Sequence, residues 1–175
     1  MSVTLYIGPM FSGKSSMLVS LYRAGDTMAF KYFDDNRYSD KEEIITHNGM
    51  HIPATASCGY IIPLIFELEQ RVKTILIDEG QFFENLREAC IHYSNMNLNV
   101  VVAALNGTSE QTPWNNISSL LPICDRIEHL RAPLCMRCCK HEAPFTAVKR
   151  GATKTRLVDI GGADKYEPVC RSCLL

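Results

Sequence analysis

One eight-residue segment near the start of the chain constrains the fold more than any other. It reads Gly8-Pro9-Met10-Phe11-Ser12-Gly13-Lys14-Ser15 and fits the pattern G-x-x-x-x-G-K-[ST] without a gap. An apolar run from Val3 to Ile7 precedes it, and a helix-like stretch from Lys14 to Ala24, ended by Gly25, follows it. The sequence therefore predicts a strand, a glycine loop and a helix, which is the context in which this pattern binds phosphate.

The residue types of this loop suit a nucleotide's phosphates. Glycines let backbone N–H groups turn toward a β-phosphate, and the N-terminus of the following helix adds the positive end of its dipole. We expect Lys14 to reach the β- and γ-phosphates and Ser15 to offer its hydroxyl to Mg²⁺. A glycine-rich turn with an exposed lysine would need neither the second glycine nor the hydroxyl, so phosphate binding is the better interpretation.

A pair of carboxylates follows the apolar run from Thr74 to Ile77. Ligands of open α/β sheets bind beyond the carboxyl ends of the strands, so this is where Mg²⁺ is expected. We assign Asp78 as the second Mg²⁺ anchor, acting through water. Glu79 has two possible roles: it activates a water in an ATPase, or it accepts a proton from a substrate hydroxyl in a kinase. The motif alone does not choose between them.

Apolar runs and helical patterns alternate through the first two-thirds of the chain, which predicts a parallel α/β sheet. The predicted strands beyond the first are Ala29–Phe33, Thr74–Ile77 and Val100–Leu105. One further helix is predicted to begin at Pro63, and another to span Leu86–Met96. The polar segment from Asp34 to Gly49 is expected to be an exposed loop.

The overall charge and hydropathy exclude several classes of protein. The formal net charge is −1 and the pI is near 6.5, so no basic field attracts a nucleic-acid polymer. No apolar run reaches the ~18 residues that a membrane span needs, and the first residues lack a signal-peptide pattern. We therefore expect a cytoplasmic protein. The five scattered histidines make no recognisable arrangement with a nucleophile.

Cysteine spacing predicts a metal site. Eight cysteines in a reducing compartment point to ligation or catalysis rather than to disulfides. Cys135-x-x-Cys138 and Cys170-x-x-Cys173 have the spacing of a structural Cys₄ zinc site, with Cys139 as the competing ligand. The remaining three, Cys58, Cys90 and Cys124, lie in or beside apolar stretches, where free cysteines behave as small core residues.

With these motifs in order, the chain resembles the type II thymidine kinases of cells and large DNA viruses. The further segments that carry the resemblance are Lys31-Tyr32, Asp35-Asn36-Arg37-Tyr38, Asp78-Glu79-Gly80-Gln81-Phe82-Phe83, Val102-Ala103-Ala104-Leu105 and Ile160-Gly161-Gly162-Ala163-Asp164-Lys165-Tyr166. The resemblance implies a P-loop, RecA-like parallel-sheet domain at residues 1–132. After about Ala132, paired cysteines, prolines and glycines replace the long apolar runs, which predicts a second, small domain. The resemblance implies that this zinc-binding domain, at residues 133–175, carries a substrate-enclosing loop.

The resemblance implies a role for individual residues. Glu79 is the general base that prepares deoxythymidine to accept the γ-phosphate of ATP. Residues implied to bind ATP and Mg²⁺ are Gly8, Pro9, Met10, Phe11, Ser12, Gly13, Lys14, Ser15, Asp35, Arg37, Asp78 and Gln81. Residues implied to bind the nucleoside are Met10, Phe82, Leu105, Trp114, Thr146, Ile160, Gly161 and Tyr166. A structural Zn²⁺, a homotetramer or dimer, and feedback inhibition by dTTP are implied as well.

The departures from the family pattern cluster after Leu105, and Asp159 stands where a small aliphatic residue is usual. The family's Asp-Gly-Thr-Phe-Gln-Arg-Lys-Pro-Phe is replaced by Asn106-Gly107-Thr108-Ser109-Glu110-Gln111-Thr112-Pro113-Trp114. An aromatic ring is therefore missing at Ser109, and a basic pair is missing at Gln111 and Thr112. We expect weaker and broader nucleoside binding with the same reaction.

Two alternatives from other classes stay open at the level of the motifs. A P-loop ATPase or switch protein with a zinc appendage would hydrolyse ATP without forming a phosphorylated nucleoside. A zinc-ribbon nucleic-acid-binding protein would need a basic face interleaved with aromatic residues, which this sequence does not offer.

Overall fold

The computed structural model describes residues 1–32, 42–46, 48–57, 59–61, 71–152 and 161–175. In these ranges the main sheet has six parallel strands in the order β5-β2-β6-β7-β1-β8. The strands are β1 Ser2–Gly8, β2 Thr27–Tyr32, β5 Thr55–Ser57, β6 Thr74–Ile77, β7 Asn99–Leu105 and β8 Arg126–His129. The predicted parallel α/β architecture is confirmed.

Apolar side chains cover both faces of this sheet because successive strand residues point to opposite sides. On one face, Leu5 and Ile75 pack against α2 (Leu86–Asn95) and α3 (Asn115–Leu120). On the other face, Tyr6 and Leu76 pack with Leu18 of α1 (Lys14–Leu21). The continuous apolar runs in the sequence follow from this burial on two sides.

The order of the strands decides which loops meet. β7 pairs with β1 on one side and with β6 on the other, all in parallel register. The loop after β1 and the acidic residues after β6 therefore lie at the same edge of the sheet, one strand apart. Phosphate-loop residues and carboxylates come together there although more than sixty residues separate them in sequence.

Two predicted elements need correction. The helix predicted over Lys14–Ala24 ends at Leu21, because Tyr22 has extended backbone. The segment Asp34–Gly49, predicted to be a loop, includes strand β3 (Glu43–Ile45), which pairs antiparallel with β4 (His51–Pro53). A three-residue strand is too short to produce a periodic pattern, which is why the sequence missed it. The helix predicted to begin at Pro63 lies outside the described residues, as does Cys58.

A smaller unit, which we call the cysteine lobe, comprises residues 132–152 and 161–175. Strands β9 (Phe145–Val148) and β10 (Tyr166–Val169) pair antiparallel, and α4 (Arg171–Leu174) follows them. Six buried residues form its own apolar cluster: Ala132, Cys135, Ala143, Ala147, Val169 and Cys170.

The described helices are all too short or too polar to cross a membrane.

Candidate active site and metal centre

The loop after β1 has the backbone of an anion-binding turn. Phe11 and Gly13 have positive φ values of 61° and 84°, so the chain reverses sharply before α1 begins at Lys14. Gly8 is required by a close approach: a Cβ there would lie 2.5 Å from the carbonyl oxygen of Leu130. Gly8 is needed because a larger residue would clash, and Gly13 is favoured because other residues rarely adopt its backbone conformation.

The lysine of this loop is buried within it. Lys14 is 8% exposed, and its Nζ donates hydrogen bonds to the Pro9 carbonyl at 2.6 Å and to Ser12 Oγ at 3.4 Å. A buried ammonium beside a helix N-terminus creates a strongly positive concavity. This arrangement favours a phosphate at the mouth of the loop.

A hydroxyl and a carboxylate meet beside the loop. Ser15 Oγ donates to Asp78 Oδ1 at 3.3 Å, and the Glu79 N–H donates to the same oxygen at 3.0 Å. Asp78 is 6% exposed, so its carboxylate has little contact with bulk water. Oxygen donors of this kind are those that Mg²⁺ prefers, and the pair therefore fits a magnesium ion held partly through water.

Glu79 has unusual backbone geometry. Its φ of 53° and ψ of 44° lie in the left-handed region, which costs a residue other than glycine about 1–3 kcal/mol. The following residues, Gly80–Phe82, form a single 3-10 turn. The Glu79 carboxylate accepts a hydrogen bond from Gln81 Nε2. Glu79, Asp78 and Lys14 all line one cavity at this edge of the sheet.

Asn116 on α3 holds this turn from behind, and sequence reasoning missed it. Its Nδ2 lies 2.7 Å from the Gln81 carbonyl oxygen, 3.0 Å from that of Phe83 and 3.3 Å from that of Gly80. One side-chain amide therefore satisfies the carbonyls of a turn that lies more than thirty residues away. No local sequence signal marks this role, because the contact depends on how α3 packs against the sheet.

A cavity of about 560 Å³ lies between the phosphate loop, the ends of β6 and β7, and the cysteine lobe. Its volume is in the range of sites that enclose small organic ligands. The predicted nucleoside residues that line it are Met10, Phe82, Leu105, Trp114, Thr146, Gly161 and Tyr166. The sequence reasoning missed other lining residues, among them Ile45, Thr46, Asn48, Leu134, Met136 and Pro168.

Three predicted site residues, Asp35, Arg37 and Ile160, lie outside the described residues, as does Asp159. Gly8 and Pro9 form the base of the phosphate loop without lining the cavity. Gln81, predicted to bind ATP and Mg²⁺, is 4% exposed and is also absent from the cavity wall. Its side chain is instead bonded to Glu79 and to the backbone of Leu105.

The two main units of the chain meet at the cavity through polar contacts. The Met10 N–H donates to Thr146 Oγ1 of β9 at 3.0 Å, and Thr146 is 5% exposed. Asn106 Nδ2 lies 3.0 Å from the Pro144 carbonyl oxygen and 3.1 Å from His129 Nε2. An aspartate, the usual family residue at position 106, has no proton to donate to that carbonyl, so this departure adds a contact to the cysteine lobe.

The four predicted ligands converge in the cysteine lobe. The Sγ atoms of Cys135, Cys138, Cys170 and Cys173 all lie within 4.8 Å of one another. The Cys138 and Cys170 sulfurs are 3.8 Å apart, and tetrahedral Zn–S bonds of about 2.3 Å require a separation of about 3.8 Å. The cluster therefore fits Zn²⁺. Cys139 is exposed and lies outside it, which resolves the competition left open by the sequence.

Hydrogen bonds shift the pKa values of two cluster thiols in opposite directions. Burial raises the pKa of the Cys135 thiol, but N–H groups of Cys170, Cys138 and Arg137 outweigh burial and lower it to about 6. A hydrogen bond with Cys170 raises the pKa of the Cys173 thiol to about 12. By contrast, Cys90 lies buried in the core, where burial raises its pKa to about 12, as expected for a core residue.

Arg137, between the first two cysteines, secures the lobe. Its Nε donates to Glu167 Oε1 at 2.7 Å, and its other nitrogens donate to the carbonyls of Cys173 and Val148. The side chains of Arg137 and Glu167 are only 18% and 9% exposed. An ion pair of this kind is difficult to break, since either partner alone would leave a buried charge.

This geometry leads to a stability prediction. Arg137→Met should lower the free energy of unfolding by about 3–5 kcal/mol, because Glu167 would be buried without its partner. Arg131→Met is the matched control: Arg131 and Glu142 form an exposed pair, which is worth about 0–1 kcal/mol. Chemical denaturation of the zinc-loaded proteins measures both changes. Equal effects in the two variants would contradict the role given to Arg137.

The sequence of this chain is similar to those of known thymidine kinases. A family model described as thymidine kinase matches residues 1–174. The thymidine kinase of Rabbit fibroma virus (strain Kasza) is 39% identical over 176 residues, covering 98% of this chain and 94% of the viral protein. That of Variola virus (isolate Human/India/Ind3/1967) is 39% identical over 181 residues, covering 99% and 96%. That of Myxoma virus (strain Uriarra) is 36% identical over 176 residues, covering 98% and 94%. The chain belongs to the thymidine kinase family.

Proposed function

We propose that the chain transfers the γ-phosphate of Mg-ATP to the 5′-hydroxyl of deoxythymidine, giving dTMP. The observation that carries this proposal is one cavity that is lined both by Lys14, Ser15, Asp78 and Glu79 and by seven of the predicted nucleoside residues. A phosphate donor and a small acceptor fit such a cavity together. Holding the two reactants in line is most of what a phosphoryl-transfer enzyme has to do.

The phosphate loop binds the triphosphate in this proposal. Backbone N–H groups of residues 11–15 and the N-terminus of α1 surround the β-phosphate, while Lys14 exchanges its internal bonds for the β- and γ-phosphates. Ser15 and Asp78 hold the Mg²⁺, which neutralises charge on the phosphates when bound. Asp35 and Arg37 are proposed, from the family resemblance alone, to help organise the same cluster.

Glu79 is proposed as the general base. Its carboxylate accepts the proton of the 5′-hydroxyl as the hydroxyl oxygen attacks the γ-phosphorus and ADP leaves. The strained backbone of Glu79 supports this assignment, because strain of this kind is kept where a side chain must be held in one direction. Asp78 accepts hydrogen bonds from Ser15 and from the Glu79 N–H, as expected of the metal anchor. Glu79 is the other carboxylate among the described residues that line the cavity.

The nucleoside is proposed to bind between Phe82, Trp114 and the cysteine lobe. Phe82 and Trp114 pack edge to face with ring centroids 5.8 Å apart, which forms an apolar wall for a base and sugar. Gly161 and Tyr166 line the same cavity. Ile160 belongs to the same proposed loop.

The missing aromatic ring at Ser109 leads to a prediction about binding. Ser109 lines the cavity, so a ring there can cover a bound base, and stacking of this kind is worth about 1–3 kcal/mol. Ser109→Phe should therefore lower the KM for thymidine by about tenfold with little change in kcat, because the contact is equal in the ground and transition states. Steady-state kinetics with thymidine as the varied substrate measures this.

Glu110→Phe is the matched control, because Glu110 is the next residue but does not line the cavity. We expect its KM to stay near that of the unmodified protein. An unchanged or higher KM in Ser109→Phe would mean that this segment does not cover the base. The family correspondence along residues 106–114 would then be wrong.

The zinc ion is proposed to have a structural role. Four thiolates would complete its coordination, so the metal would supply stability to the cysteine lobe and no open position for a substrate. We propose a P-loop domain at 1–132 and a zinc domain at 133–175, because the cysteine lobe has a two-stranded sheet and an apolar cluster of its own, with Ala132 at the boundary. A homotetramer or dimer and feedback inhibition by dTTP are proposed from the family resemblance, and a cytoplasmic location stays a prediction from the sequence.

Product analysis tests the proposed substrate. The zinc-loaded protein is incubated with Mg-ATP and, in separate reactions, thymidine, deoxycytidine, deoxyadenosine and deoxyguanosine. We expect thymidine to give the fastest formation of a 5′-monophosphate, and bulky 5-substituted deoxyuridines to be tolerated. ATP consumption without any phosphorylated nucleoside would favour the ATPase alternative instead.

A further inference from the structure

Gln81 is predicted from the sequence to bind ATP and Mg²⁺, but that role does not explain its buried position. Its side chain is 4% exposed and lies outside the cavity wall. Two hydrogen bonds hold it: Oε1 accepts from the Leu105 N–H at 3.0 Å, and Nε2 donates to the Glu79 carboxylate. The residue therefore connects the end of β7 to the carboxylate that faces the cavity.

The orientation of the Gln81 amide is fixed by chemistry. The Leu105 N–H is a donor, so it can only be met by the carbonyl oxygen of the side chain. The NH₂ group must then point the other way, toward Glu79. A glutamine at this position thus presents a donor to Glu79, while the backbone of β7 prevents the amide from flipping.

The turn that carries both residues is stiff. Asn116 donates to the carbonyl oxygens of Gly80, Gln81 and Phe83. Gly80 lies so close to β7 that a Cβ there would be 2.6 Å from Val102 Cγ1. The backbone of the turn that carries Gln81 is therefore held in place.

We propose that Gln81 is a positioning residue for phosphoryl transfer, which aims the Glu79 carboxylate into the cavity through the hydrogen bond from its amide. This inference rests on the proposed function of Glu79 as the base. Gln81 touches neither nucleotide nor nucleoside in this account. Its effect on the rate passes through Glu79 alone.

The isosteric variant Gln81→Glu separates the two bonds of this side chain. A carboxylate still accepts from the Leu105 N–H, but its other oxygen faces Glu79 as a like charge instead of a donor. We expect kcat for thymidine to fall by about 10²-fold, the usual cost of displacing a catalytic group by about 1 Å, with KM little changed. If Gln81 only supports the backbone of β7, Gln81→Glu should keep near-normal kcat, which would overturn the proposal.

The same substitution made in Glu79→Gln shows whether Gln81 acts through Glu79. We expect no further loss of kcat there, since residues that act as a unit are not additive. Equal losses in the two backgrounds would reveal a purely structural role and overturn the inference. If Gln81→Glu does not fold, as judged by its Tm and zinc content, Gln81→Met carries the same double-mutant comparison.

The design also separates this inference from the proposed function. A slow Glu79→Gln together with a normal Gln81→Glu would remove the inference and leave the base assignment standing. A Glu79→Gln protein that phosphorylates thymidine at the normal rate would remove both.

Discussion

Glu79→Gln should slow thymidine phosphorylation by about 10²–10⁴-fold, the usual contribution of a positioned general base. The amide keeps the shape of the side chain but cannot accept the proton of the 5′-hydroxyl. Binding of Mg-ATP should stay nearly intact, because the phosphate loop and the Ser15–Asp78 pair are unchanged. Steady-state kcat and equilibrium titration with a non-hydrolysable ATP analogue measure the two effects separately.

Two control substitutions make this result specific. Glu84→Gln changes a nearby carboxylate that bonds to the Tyr60 hydroxyl and does not line the cavity, so its kcat should be close to normal. Asp78→Asn should instead raise the Mg²⁺ concentration needed for half-maximal rate. Near-normal turnover in Glu79→Gln would exclude it as the base, and Asp35 would be the next carboxylate to test.

Cys170→Ser should abolish tight zinc binding and with it the folded cysteine lobe. Structural Zn²⁺ sites contribute about 10–16 kcal/mol of binding free energy, which in such sites is folding free energy. Thr146 and Tyr166 belong to the strands of this lobe and line the cavity. We therefore expect kcat/KM for thymidine to fall by at least about 10²-fold, the usual cost of losing substrate position. Metal analysis should give one zinc per chain before the substitution and none after it.

Cys139→Ser is the matched control for this experiment. Cys139 directly follows a cluster cysteine but is exposed and outside the cluster, so its loss should change neither zinc content nor activity. A stable, zinc-free and fully active Cys170→Ser protein would contradict the structural role of the metal. Equal effects of the two substitutions would contradict the assignment of ligands.

The parts of the fold that sequence predicts well are those with strong local signals. The glycine loop at residues 8–15 needs particular backbone angles, and the apolar run of Thr74–Ile77 needs burial on both faces, so each leaves a clear pattern. The cysteine pairs are equally informative, since metal ligation requires fixed spacing. These features led from residues to the edge of the sheet where the site lies.

Other features could not be predicted because they depend on tertiary packing. Asn116 meets the Glu79 turn only after α3 has packed against the sheet. The strand β3 is stabilised by pairing with β4 rather than by its own three residues. The exclusion of Cys139 is decided by the path of the chain after Cys138, where Cys139 takes a positive φ of 53°. The spacing of the cysteines does not predict this backbone turn at Cys139.

Gln81 lies in a different place from the one that its predicted role in binding ATP and Mg²⁺ implies. The family resemblance implies that it binds ATP and Mg²⁺, because it belongs to the matching segment from Asp78 to Phe83. A 3-10 turn reverses the chain at that point, which directs the side chain behind the carboxylate instead of into the cavity. Predicting this would have required the backbone angles of Glu79, which no residue type specifies.

Phosphorus NMR of a single reaction distinguishes transfer of the γ-phosphate to thymidine from its transfer to water. The zinc-loaded protein, Mg-ATP and thymidine are mixed, and the spectrum is followed as ATP is consumed. We expect a dTMP signal to grow one for one with ADP, and Glu79→Gln to slow both signals together. Growth of inorganic phosphate in step with ADP, with thymidine unchanged, would contradict phosphoryl transfer to the nucleoside.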